Sequence, residues 1–178
     1  MQRRFCVKSM VLTALFAALT AVLSQIMIPI GPVPFNLGVF AVYLAGMLLT
    51  PGSAAASIAV YWMLGALGLP VFAGFQGGPA ALFGKTGGYV LGYLFIALFT
   101  SLAAHHTKRT GITFLAMAAG LVCCYGFGTL WFMHLTGLDF AKALTLCVVP
   151  FVLPDAAKAA GAFWLGRALK KRLAKAGL

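Results

Sequence analysis

Long apolar runs alternate along this chain with short clusters of glycine, proline and basic residues. Crossing about 30 Å of hydrocarbon takes about 20 mostly apolar residues in a helix. The runs predict spans at about 9–29, 36–50, 53–69, 86–104, 111–134 and 154–172. Thr50-Pro51-Gly52 closes the second and Gly68-Leu69-Pro70 the third, since proline has no N–H for a helical bond. A glycine-rich segment over 70–84 interrupts the pattern. The stretch 137–172, broken by Pro150 and Pro154, holds one full crossing and a short lead-in. Arg3, Arg4 and Lys8 before the first run resemble a signal peptide. That run continues to about Ile30, beyond the roughly 7–15 residues of a cleaved segment, and reads as a retained span.

Composition agrees with a bilayer. Hydrophobic residues make up 62% and charged residues 8%, against roughly 45–50% and 25% in soluble domains. The 178 residues amount to one integral-membrane domain over 1–178. A net charge of +11 would elsewhere suggest nucleic acid. Here the basic residues gather at the ends of apolar runs, without an aromatic-rich patch, which excludes that partner. With the N-terminus inside, Arg3, Arg4, Lys8, Lys108, Arg109, Arg167, Lys170, Lys171, Arg172 and Lys175 share the cytoplasmic side. These are ten of the 13 basic residues, as the positive-inside rule expects. The fold class is therefore an all-α membrane protein with six transmembrane helices and both termini cytoplasmic.

The outer half then receives Gly31–Asn36, the 70–84 segment and the region from Pro150 to Lys158. Irregular backbone at membrane depth survives only where protein or a cavity covers it. Three such segments on one face predict a pocket opening outward. Gly84-Lys85-Thr86 invites comparison with a phosphate-binding P-loop. The glycine required five positions earlier is Pro79, and the chain has only two acidic residues, Asp139 and Asp155, to share a Mg²⁺. That function is excluded.

Pro154-Asp155-Ala156-Ala157-Lys158 carries the sharpest chemical signal. Proline and an acidic residue suit a first helical turn, so the motif predicts a helix start at Pro154. Asp155 and Lys158, three apart, share a face. Intramembrane charges are costly and usually mark a ligand or ion path; a self-neutralising pair that caps the helix is the alternative. As a ligand site the pair offers acceptors and donors to a urea- or amide-like head. Phe72, Phe75, Tyr89 and Phe151 are candidates to hold an apolar body. The four cysteines, Cys6, Cys123, Cys124 and Cys147, lack metal-ligand spacing and read as small buried hydrophobes. His105-His106, placed in a short polar loop, and His134 at a helix end have no ligand partners nearby, so no metal is expected.

Four blocks of residues then resemble one family. They are Val33-Pro34-Phe35-Asn36-Leu37, Tyr61 through Gly68-Leu69-Pro70-Val71-Phe72-Ala73-Gly74, Leu82-Phe83-Gly84-Lys85-Thr86-Gly87-Gly88-Tyr89, and Pro154-Asp155 with Lys158. Over nearly its whole length the chain resembles BioY, the biotin-binding substrate-specificity (S) component of energy-coupling factor transporters. Lys85 stands where the family usually has proline, and Asn36 and Gly38 stand in place of threonine and glutamine.

The resemblance implies uptake of biotin through a prokaryotic cell membrane, without enzymatic activity and without a cofactor. It implies ligand contacts at Asp155 and Lys158, with Tyr89, Gly87, Gly88, Phe72, Gln76 and Asn36 around them. It also implies docking of the first helix, through Ala14 and Ala18, on a transmembrane coupling subunit whose ATP-binding subunits supply energy. Small residues four apart let another helix come close. An S component for a different vitamin, a thiol oxidoreductase using Cys123 and Cys124, and a helical channel stand as alternatives.

Overall fold

The computed structural model describes residues 7–29, 33–107 and 109–175. Arg3, Arg4, Cys6, Ile30, Gly31, Pro32 and Lys108, which entered the readings above, lie outside the described residues. Helix α1 spans Val7–Gln25, followed by a two-residue strand β1 (Met27–Ile28) paired antiparallel with β2 (Phe35–Asn36). Next come α2 (Gly38–Leu48), α3 (Pro51–Ala66) and a single turn, α4 (Pro79–Leu82). The chain ends with α5 (Gly87–His106), α6 (Thr110–Thr136), α7 (Phe140–Cys147) and α8 (Val149–Lys175).

Local chemistry sets several boundaries. The Thr50 hydroxyl accepts the Ser53 N–H at 3.4 Å, and Pro51 opens α3, where its missing N–H costs nothing. Gly137, at φ 68°, closes α6 in the left-handed conformation that glycine adopts without strain. Asp139 caps α7 by accepting the Ala141 N–H at 3.1 Å.

Helices α1, α5 and α6 are long and apolar enough to cross a membrane, and α7 with α8, bent by 43°, makes a fourth candidate. Their outward faces are apolar: Val11, Leu115, Val122 and Leu130 are all at least 60% exposed. Such a surface suits lipid and not water. α2, at 11 residues, is about 16 Å long at 1.5 Å per residue. Packed against α1, α3, α5 and α8, it is the buried centre of the bundle. Tyr43, Ala41, Val42 and Ala45 have no exposed surface.

The interface between α5 and α6 is built from small residues. Gly88 and Gly92 on α5 meet Trp131 and Cys124 on α6, while Gly120 and Gly128 on α6 receive the α5 backbone near Ile96 and the Tyr89 ring. Spacings of four on both helices form one contact stripe, the usual way for helices to approach closely in lipid.

Two expectations are corrected. α8 begins at Val149, so Pro154 lies inside it and Asp155 is not at a helix start. The bond Pro154 cannot donate would go to Pro150, still within the opening turns, so one missing bond is tolerated. The chain turns instead at Val148, between α7 and α8. His105 and His106 form the last turn of α5 and not a loop, because the helix continues through His106 and the backbone extends only at Thr107.

Candidate functional site

A cavity of about 310 Å³ opens among the β1–β2 hairpin, the loop 72–76 and the facing ends of α5, α6 and α8. Asp155 and Lys158 reach it from α8, although they are only 4% and 7% exposed. The Lys158 ammonium donates to Asp155 Oδ1 at 2.7 Å and to the Asn36 carbonyl at 2.6 Å. It also sits 3.8 Å from the centre of the Phe35 ring, a cation–π contact. The other carboxylate oxygen, Oδ2, accepts the Tyr125 hydroxyl at 2.6 Å. The partners come from three elements: α8, β2 and α6. The pair thus ties together three parts of the bundle, and both groups keep unused donors or lone pairs for a ligand.

Asn36 is fixed from two sides. Its side-chain oxygen accepts the Gly38 N–H at 2.8 Å and the Tyr93 hydroxyl at 3.3 Å. A Cβ at position 38 would lie 2.5 Å from Ser24 Oγ and 2.9 Å from that same Asn36 oxygen. Asn36 and Gly38 therefore belong together: glycine leaves room for the asparagine carbonyl.

The loop over the cavity is held by Gln25 at the end of α1. Its amide group donates to the carbonyls of Val71 and Phe72 at 3.0 and 3.1 Å, and its oxygen accepts the Phe75 N–H at 2.8 Å. Phe72 and Gln76 exchange backbone bonds across a tight reversal in which Gly74 and Phe75 both have positive φ, 74° and 57°. The Phe72 ring meets Tyr61 edge-on at 5.4 Å and rests against Gly65, where a side chain would overlap it. Gln25→Ala is expected to speed amide exchange at Phe75 roughly two- to tenfold while leaving the helices protected, since a hydrogen bond is worth about 0.5–1.5 kcal/mol. Hydrogen-exchange mass spectrometry would read it, and uniform acceleration of the whole bundle would refute it.

Of the residues singled out in the sequence, Asp155, Lys158, Tyr89, Phe72, Gln76, Asn36 and Phe151 line the cavity. Gly87 and Gly88 do not. Gly87 packs on the Leu82 carbonyl and Gly88 on Trp131, so they shape the wall from behind. Phe75 is 71% exposed at the loop tip, outside the cavity, and Lys85 is also exposed. Tyr125, Tyr93 and Gln25 were missed. Only a polar group inside an apolar run marked them, and the partners that tie them to the site are distant in sequence.

The cysteines divide. Cys124 is buried against Gly92, its thiol 3.5 Å from the Tyr89 carbonyl, and Cys147 is buried too. Cys123, contrary to the buried reading, is exposed. Adjacent helical residues point about 100° apart, so one of this pair faces the bundle and the other faces out.

A model of the BioY family matches residues 1–175. A probable biotin transporter BioY of Pyrococcus horikoshii is 43% identical over 163 residues, covering 92% of this chain and 96% of that protein. A biotin transporter BioY of Thermotoga maritima is 36% identical over 167 residues, with the same shares of 92% and 96%. A crystal structure, at 2.1 Å, of the S-component for biotin from an ECF-type ABC transporter superposes with a TM-score of 0.86. It is 27% identical in sequence, and the match covers 96% of this chain and 95% of that one.

Proposed function

We infer that this chain, which belongs to the BioY family, is the biotin-specific S component of an energy-coupling factor transporter. It is a transport protein and not an enzyme. The observation that carries the site is the buried Asp155–Lys158 pair facing a cavity with apolar walls.

The ureido head of biotin has two N–H donors and one carbonyl. Asp155 accepts from an N–H, and Lys158 donates to the carbonyl. Asn36 offers its amide beside them. Phe72, Tyr89 and Phe151 enclose the apolar ring, with Gln76 at the loop edge. The pair's hydrogen bonds to Asn36 and Tyr125 fix both groups in place, which lowers the ordering cost of binding. Gly88 serves by letting α5 and α6 close behind Tyr89, and Gly87 by letting the α4 turn pack against the start of α5.

The single domain over 1–178 is proposed to cross the plasma membrane six times with both termini in the cytoplasm. α2 and α3 are two crossings too short to span alone without the loops beside them, and bent α7–α8 is the sixth. The basic residues of α8 and Arg109 at the start of α6 support that orientation.

The expected partners are a transmembrane coupling subunit and its ATP-binding subunits. Ala14 and Ala18 are both exposed on α1, so that face is free for another helix. Ala14→Trp is expected to leave biotin affinity unchanged and abolish co-purification with the coupling subunit. Lost affinity with normal co-purification would reverse the assignment.

Binding of labelled biotin to the purified protein in nanodiscs, with unlabelled biotin and riboflavin as competitors, tests the whole reading. Saturable binding displaced by biotin alone is the expected result. Displacement by riboflavin, or no binding by folded protein, would move the assignment to another vitamin.

A further inference from the structure

At the opposite end of the bundle a second cavity, of about 420 Å³, lies among α5, α6 and α8. Its floor is buried and apolar: Met47 and Phe163 are 3% and 1% exposed. Its rim is basic. Arg167 donates one N–H to the Thr110 hydroxyl at 2.8 Å and stacks over Phe163 at 5.3 Å. Lys170 donates to the Ala104 carbonyl at 3.2 Å, while Nδ1 of His105 lies 3.0 Å from the Ser101 carbonyl.

Both cations are thus spent on neutral acceptors, one bond each. Arginine has five N–H groups and lysine three, so most donors remain. The chain's two acidic side chains are elsewhere: Asp139 caps α7 and Asp155 pairs with Lys158. Two cations held over a walled cavity, with no carboxylate side chain to answer them, call for an anion from outside the chain.

We propose that this cavity binds the phosphate of an anionic phospholipid headgroup. The guanidinium of Arg167 matches two phosphate oxygens at once, and Lys170 adds a point charge beside it. A lipid, and not a free phosphate, is favoured by what surrounds the rim. Leu102 and Trp164, each three residues before a cavity residue (His105 and Arg167) and so on the same helix face, are exposed and apolar. A headgroup in the cavity leaves its acyl chains lying along that apolar flank. Basic pockets between transmembrane helices recognise lipid headgroups in this way.

Native mass spectrometry on the purified full chain tests it, after equilibration with equal amounts of phosphatidylglycerol and phosphatidylcholine. Detergent exposes both ends of the protein, so the readout is independent of orientation and of the vitamin assignment. The expected result is one retained phosphatidylglycerol, favoured at least about fivefold, the effect of one basic residue near an anionic surface. R167Q/K170Q should lose that preference. K171Q/R172Q, which removes the same charge from the exposed tail of α8, should keep it, and biotin affinity should be equal in all three. If R167Q/K170Q fails to fold, Arg167→Lys retains the charge without the fork and should lower the preference. Equal retention of the two lipids, or equal loss in both double variants, would overturn the proposal. Displacement by glycerol phosphate at matching concentration would assign the cavity to a free anion and overturn the lipid.

Discussion

Asp155→Asn is expected to weaken biotin binding by about 1.5–3 kcal/mol, the usual worth of a hydrogen bond to a charged group. That is a roughly 10- to 150-fold rise in Kd. The fold should suffer as well. The substitution leaves Lys158 with an uncompensated charge in a buried site, and breaking such a pair costs about 3–5 kcal/mol. Lys158→Met should do comparable damage from the other side, because Asp155 then keeps only Tyr125. The double variant separates the two effects. Removing both charges together relieves the unpaired ion, so the thermal midpoint should recover beyond either single variant. Affinity should not recover, since neither partner for the ureido head is left. Radioligand binding and thermal melts on the four proteins complete the cycle. An unchanged Kd in Asp155→Asn would remove it from the ligand contacts.

Gly128→Ala is the second large effect. A methyl at this position would overlap the Tyr89 ring, and α5 and α6 are already in close contact there. Overpacking of this kind costs about 1–3 kcal/mol. Tyr89 is also a wall of the cavity, so affinity should fall with stability. Gly126→Ala, two residues away on the same helix, is the control. Its added methyl meets nothing within 4 Å, and alanine favours helix over glycine by about 1 kcal/mol. Indistinguishable melting curves for the two variants would refute the account of this interface.

What the sequence made legible was local. The Asp155–Lys158 pair follows from helical spacing, and the membrane setting from apolar runs and the placement of basic residues. Gly87 and Gly88 drew attention for a sound reason, close approach, but one sequence does not tell whether a ligand or a helix comes near. The structure answers with Trp131, 43 residues beyond Gly88. Tyr125 was silent because its partner lies 30 residues away across the bundle. Pro154 misled because its type is legible and its context is not. A proline can open a helix or sit in its second turn at small cost, and only the path of the chain from Val148 distinguishes them. Gln25 showed only as a polar group in an apolar run: besides the Ala21 carbonyl one turn back, its partners are backbone atoms of a loop 45 or more residues downstream.

The Asp155–Lys158 contact also decides how the site answers an electric field. Moving one elementary charge through the full membrane potential is worth about 2.3 kcal/mol per 100 mV. Two opposite charges 2.7 Å apart move through that field as one short dipole, on which the potential does almost no net work. Occupied or empty, the protein's own site is electrically silent. Under the proposed function, any voltage dependence of uptake is therefore carried by the ligand's carboxylate and by the energising subunits, and not by Asp155 and Lys158.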